Sequence, residues 1–199
     1  MVIRAALVAA LLFPSVSSRA QSTPESVDAR LRALATRAEK PSAWPALRRY
    51  AQSARPPEQR GLAYFLLGYR EYEAGECKQA QEDLRHAAAT GFSLGDFAEY
   101  YLGEALDQAE QFDQVAATLQ DFSSRHPQSA FRLNVLELRA RALLRLGQPA
   151  HALDLLIAEP RLRQRPALMS LLAQAYLDGG REVEAVRAYQ EIYHAHPTA

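Results

Sequence analysis

The chain is 199 residues long, 48% hydrophobic and 23% charged, which supplies a packed domain and excludes wholesale disorder. Its 23 Lys and Arg balance 23 Asp and Glu, so no general basic footprint for nucleic acid is present. Cys77 is the only cysteine, which excludes an internal disulfide and leaves stability to packing.

The first residues differ from the rest. Met1 to Arg4 give a short positive start, Ala5 to Phe13 an apolar run, and Ser18, Arg19 and Ala20 place small residues before a cleavage point at Gln21. A run this short cannot span a bilayer, which takes about 20 apolar residues. Residues 1–20 are therefore expected to be a secretory signal peptide, and the mature chain to be periplasmic or otherwise extracytoplasmic. No cysteine follows the run to carry a lipid anchor.

Downstream, strand signals are nearly absent, and apolar residues recur every three or four positions among Ala, Leu, Arg, Gln and Glu. Residues 24–40 and 42–54 read as a helix pair broken at Pro41, and "ARPPEQR" as a linker, so that 21–60 form an N-terminal unit. Trp44 caps the hydrophobic seam or stacks on a ligand. Cys77 reads as a small, half-buried apolar residue with no catalytic partner.

From residue 61 a pattern repeats. Small residues Gly68, Gly103, Ala140 and Ala173 lie 35, 37 and 33 residues apart. Seven residues after each come Gly75, Glu110, Gly147 and Gly180; then Ala80, Val115, Ala152 and Ala185; then Leu84, Leu119, Leu156 and Tyr189. Two antiparallel helices approach closely only where side chains are small, so the first and third sets are expected to face each other. The glycines are expected to end each first helix in the left-handed conformation, and the large residues to reach into the next pair. Val115 and Glu110 make the second copy the least regular.

This pattern resembles the tetratricopeptide repeat (TPR), whose period is about 34 residues. The resemblance implies an all-α fold of antiparallel helix pairs stacked as a right-handed superhelix, an α-solenoid, with repeats at about 61–95, 96–132, 133–165 and 166–199. Pro127 and Pro197 both lie 24 residues past the small residue of their first helix, where the family often closes the second helix. His126 and His196 precede them. His194 and His196 thus read as a repeat terminus rather than a metal pair, which would need a further donor, and the tail as the end of a fourth repeat without a polar capping helix.

No phosphate loop, HExxH or GxSxG is present, no triad logic links Ser and His, and no acidic pair stands out for glycoside hydrolysis. The chain is read as non-catalytic, with no cofactor and no metal site. The concave surface of a helical array is formed mainly by first helices. Helical spacing places there Phe65, Tyr69 and Tyr72; Tyr100, Glu104 and Asp107; Asn134, Glu137 and Arg141; and Ser170, Gln174 and Asp178. Tyrosines suit partner anchoring, with large apolar area and one polar tip. Packing between helices is the competing role, particularly for Tyr64 and Tyr101. Leu66 and Tyr101 stand where chaperone-tail-binding members of the family carry Asn, so that adaptor role is disfavoured.

A second resemblance is narrower. The segments "LGDFAEYYLGEA", "FSSRHPQS" and "RARALLRLGQPAHALDLL" within 93–156 are similar to the helical N-terminal region of bacterial soluble lytic murein transglycosylases. That family adds a lysozyme-like domain with one catalytic glutamate, and its Glu-Ser and Gly-Leu-Met-Gln stretches have no counterpart here. The resemblance implies a periplasmic scaffold with a protein partner, such as a cell-wall enzyme, or peptidoglycan contacts; the alternative is an N-terminal fragment of such an enzyme. An outer-membrane assembly factor built on similar repeats has weaker support.

Overall fold

The computed structural model describes residues 29–195. The expected signal peptide, His196 and Pro197 lie outside the described residues. Among the described residues all regular structure is helical, and no helix is long and apolar enough to cross a membrane. In chain order the α-helices are α1 (Ala29–Ala35), α2 (Trp44–Ser53), α3 (Pro57–Glu73), α4 (Cys77–Ala88), α5 (Gly95–Gln108), α6 (Phe112–Thr118), α7 (Phe122–Arg125), α8 (Arg132–Arg145), α9 (Pro149–Ile157), α10 (Pro166–Asp178) and α11 (Glu182–Ala195). Short 3-10 turns cover Pro41–Ala43 and Leu162–Gln164. Helices α3/α4, α5/α6, α8/α9 and α10/α11 pack as consecutive hairpins.

Proline sets several starts. Pro57, Pro149 and Pro166 occupy first turns, where a missing N–H costs nothing and the fixed φ suits the helix. The first of these moves a boundary: α3 begins at Pro57, inside the stretch read as linker. The break expected at Pro41 falls earlier: the preceding helix ends at Ala35, and Pro41 instead opens the 3-10 turn Pro41–Ala43. Trp44 is half-buried against the core and donates its indole N–H to the Ala38 carbonyl, 3.0 Å away.

Four turns inside the hairpins share one backbone solution. Gly75, Gly147 and Gly180 have φ of 79°, 69° and 72°, and Glu110 takes the same conformation at 56°. In each, the next residue's N–H returns to a carbonyl five residues back: Glu76 to Glu71, Gln111 to Leu106, Gln148 to Leu143, Arg181 to Tyr176, at 2.8–2.9 Å. This closure satisfies carbonyls that the helix end leaves open.

The small residues then let backbones meet. A Cβ on Gly68 would fall 2.7 Å from Leu84 Cγ, 3.0 Å from the Leu84 N and 3.2 Å from the Ala80 carbonyl oxygen. On Gly103 it would fall 2.7 Å from Leu119 Cδ1 and 3.0 Å from Leu138 Cδ2. Ala140, Ala152, Ala173 and Ala185 are buried at the corresponding positions. Leu84 and Leu119 therefore cover the glycine of their own hairpin, a role the spacing had not implied, and Leu138 of the next hairpin shares the Gly103 contact with Leu119. Tyr189, at the same register, is exposed.

The second hairpin is irregular, as its sequence suggested. Helix α6 stops at Thr118 and the chain re-forms as the single turn α7, with Phe122 drawn fully into the core. Arginines cover carbonyls freed by the break: Arg125 donates to Thr118 and Arg139 to Gln120, both at 3.1 Å. His126 follows α7, its ring tilted against Phe122 at 5.0 Å and its Nε2 3.1 Å from Glu99 Oε1.

A charged cluster lies within the first hairpin, against the reading that no acidic pair stands out. Glu71 of α3 and Asp83 of α4 are 1% and 3% exposed. Arg48 of α2 reaches both, at 2.5 Å and 2.7 Å. Burial, then the neighbouring Asp83, push the Glu71 carboxyl from 4.5 up to about 8, against the pull of Arg48. One guanidinium thus ties three helices over two buried acids, which is costly to break once one partner is removed.

Three outcomes follow. Glu110→Gly should raise stability by about 0.5–1 kcal/mol by relieving a left-handed non-glycine residue, whereas Gly75→Ala should lower it by about 1 kcal/mol; urea unfolding checks the opposite signs. Because Glu71 holds its proton more tightly folded than unfolded, its contribution is complete below its ordinary range and is lost as pH rises through about 8. Glu71→Gln should flatten that decline between about pH 5 and about pH 9, read by melting temperature against pH. Arg48→Met should cost about 2–3 kcal/mol, less than a wholly buried pair because Arg48 is partly solvated.

Candidate partner-binding face

The twelve residues placed by spacing on the inner surface divide by environment. Phe65 and Tyr69 are core: they are 1% and 8% exposed, and Phe65 contacts the rings of Tyr69, Phe92, Phe97 and Tyr101 at centroid distances of 6.0–6.3 Å. An interior first helix is covered on both sides, so the part of its circumference that reaches the surface is narrower than its spacing implied. These two are not available as partner anchors. The packing role expected of Tyr101 is seen, edge-on to Tyr69 at 4.8 Å, and Tyr64 stacks on His86 at 4.9 Å.

Tyr72, Tyr100 and Glu104 are brought together, half-buried, where α3 meets α5, and Asp107 is half-buried further along α5. The Tyr72 hydroxyl donates to Glu104 Oε2 across the two helices at 3.3 Å. Tyr100 lies beside the same carboxylate and near Asn134, and stacks on Phe131 at 4.4 Å with planes 13° apart. Burial first, then Glu104, push the Tyr72 phenol up to about 12 and the Tyr100 phenol higher still. Both hydroxyls remain donors at any physiological pH.

The face continues through charges. Arg141 of α8 donates to Asp107 Oδ2 at 3.1 Å and to Glu137 at 3.3 Å, and Arg165 approaches Asn134 Oδ1 at 3.4 Å. On α10, Ser170 and Asp178 are exposed, and Gln174 bonds Asp178 at 2.6 Å. Their contact is with each other rather than with the tyrosine group.

Sequence reasoning missed Phe131, Phe97 and Glu73. Phe131 is the residue before α8, outside any helical pattern, and nothing in the spacing joins it to Tyr100, on which it stacks, or to Phe97 and Tyr101, which it meets edge-on. Glu73, four residues after Tyr69, accepts that hydroxyl at 3.2 Å, a spacing that was legible. Cys77 is half-buried with Sγ 3.4 Å from Gln108 Oε1. Among the described residues no group of three His, Cys, Asp or Glu is placed to hold a metal ion.

No family profile matches the chain, and no curated protein matches it in sequence. Solved structures do match in fold. A Podosopora anserina kinesin light chain with nearly identical TPR-like repeats superposes with a TM-score of 0.65 at 19% identity, covering 83% of this chain and 94% of that one. MamA AMB-1 gives 0.65 at 19%, covering 85% and 93%. The C-terminal part of a TPR repeat-containing protein from Cytophaga hutchinsonii gives 0.62 at 17%, covering 84% and 64%. At these identities the likeness is one of fold, and the fold is a TPR-like all-α solenoid.

Proposed function

We propose that the chain is a non-catalytic, extracytoplasmic TPR-type scaffold whose inner face binds a segment of a protein partner. The observation that carries this reading is the Tyr72, Tyr100 and Glu104 group, which presents two protonated phenols and a carboxylate on a platform stiffened by the Tyr100–Phe131 stack. Such a group suits a segment with backbone N–H donors and Lys or Arg side chains, because rigid aromatics bury area with little entropy loss and the carboxylate takes the cation. The non-catalytic reading is supported by the placement of Glu71: the carboxyl that burial has perturbed is shut away under Arg48. Export rests on the N-terminal sequence alone.

The transglycosylase-like segments within 93–156 favour a second reading, in which the partner is a cell-wall enzyme, the chain itself touches peptidoglycan, or the solenoid is the N-terminal part of such an enzyme. The experiment compares capture from envelope extract by the unaltered chain, by Tyr72→Ala with Glu104→Lys, and by Lys78→Glu on the exposed side of α4. Loss of captured protein by at least about 30-fold in the first variant alone, the size of one strong anchor of about 2 kcal/mol, is the expected result. Equal capture by all three would defeat the inner-face reading. Sedimentation with purified peptidoglycan identifies direct wall binding, and glycan release by this chain alone would contradict both readings.

A further inference from the structure

A groove between the residues before α8 and those before α10 holds charges that the chain itself does not answer. Its volume is about 580 Å³, and Arg132, Arg161 and Arg165 line it with Glu159 as the single carboxylate. Glu159 is already engaged, its Oε1 accepting the Arg161 backbone N–H at 3.0 Å. Among the described residues none of the three guanidiniums reaches a carboxylate, whereas Arg48, Arg125, Arg141 and Arg181 each hold one at 2.5–3.1 Å. Arg165 is half-buried, and both ends of its fork approach one neutral acceptor, Asn134 Oδ1, at 3.4 Å. A guanidinium carries five donors, so a partly desolvated one facing a lone amide oxygen is short of acceptors.

The local sequence sorts these arginines. In "PRLRQRP", residues 160–166, arginine recurs at every second position. Leu162 is buried, and Arg163 turns to Glu191 at 3.4 Å, which leaves Arg161 and Arg165 to the groove. The facing wall is pinned by Ser129, which donates to Asp96 Oδ2 at 2.6 Å and accepts the Phe131 N–H at 3.1 Å. Pro127 and Pro160 restrict the backbone on either side. The arginines are thus presented on walls ordered before any ligand arrives, which lowers the entropy cost of binding.

We propose that this groove binds an acidic segment of a protein partner, its Asp or Glu carboxylates seated on Arg132, Arg161 and Arg165. Three observations choose that occupant. Three cations against one engaged carboxylate leave the groove positive, and planar guanidiniums match carboxylates through paired N–H donors. Pro127, Leu133 and Pro160 share the lining and give the methylenes of acidic side chains apolar surface, while Glu159 repels a densely charged phosphate chain more than spaced carboxylates. Asn134, which Arg165 approaches, also lies beside Tyr100, so the groove adjoins the tyrosine face. The choice of a protein segment rests on the partner-binding reading of that face; the anion seat itself lies at the connections between hairpins and stands on its own residues.

Titration calorimetry of the full chain with acetylated, amidated hexaglutamate at about 50 mM salt, where screening is weak, is expected to show binding. Arg132→Glu with Arg161→Glu should weaken it at least about 10-fold, with unchanged circular dichroism because both side chains are exposed and unpaired. Arg32→Glu with Lys78→Glu makes the same change of net charge at exposed positions of α1 and α4 and should cost less than about 3-fold. Tyr72→Ala with Glu104→Gln disables the tyrosine face and should leave hexaglutamate affinity within about 2-fold, so failure of that face and failure of the groove are read separately. Absence of binding, equal weakening by the two charge-reversal pairs, loss in the tyrosine-face variant as large as in the arginine variant, or tighter binding of a linear polyphosphate of matched charge would each overturn the proposal.

Discussion

The fold depends on the absence of side chains at a few points. Where Gly68 lies against the Ala80 carbonyl and the Leu84 backbone, and Gly103 under Leu119 and Leu138, two helices come closer than any Cβ would permit, and the leucines close the space. Close approach multiplies weak dispersion contacts and excludes water from both backbones. Alanine at residues 140 and 173, fully buried, is the next smallest occupant of the corresponding positions in the later hairpins. The solenoid is built by repeating a small-residue contact from hairpin to hairpin.

From that constraint the remaining features follow in order. The turns that return the chain must be short, and the left-handed residue at each of four turns makes them so, even where Glu110 has to adopt a conformation suited to glycine. Between hairpins, polar ties link one entry to the next: Glu58 to Ser93, Asp96 to Ser129 and Asn134 to Arg165, each pair 31–35 residues apart. These bonds fix the sequence of first helices whose exposed edges carry Tyr72, Tyr100 and Glu104. The proposed binding face is thus positioned by packing between hairpins and by ties in which its own Asn134 and Tyr100 take part.

Much of this was legible in the sequence, for a physical reason. A repeated close contact demands the same small residue at the same interval, so Gly68, Gly103, Ala140 and Ala173 declare the fold through spacing alone. Charges in the core do not declare themselves. Arg48, Glu71 and Asp83 are polar letters on amphipathic helices, and their partners are 23 and 35 residues away with no period to mark them. Phe65 and Tyr69 show the related error. The surface register and the core register of a first helix differ by about 100° per residue, and in an interior hairpin the core takes the wider share. Pro57 was read as a breaker where it is a helix start, since proline serves both purposes.

The central claim, that glycine at the crossing and leucine above it form one contact, is tested by a double-mutant cycle on Gly68 and Leu84. Gly68→Ala overfills the crossing and Leu84→Ala empties it, and each alone should lower the unfolding free energy by about 1–3 kcal/mol. In combination the new methyl enters the space the leucine leaves, so the double variant should be more stable than the sum of the singles predicts, by about 1 kcal/mol or more. Strict additivity in urea unfolding would contradict the account.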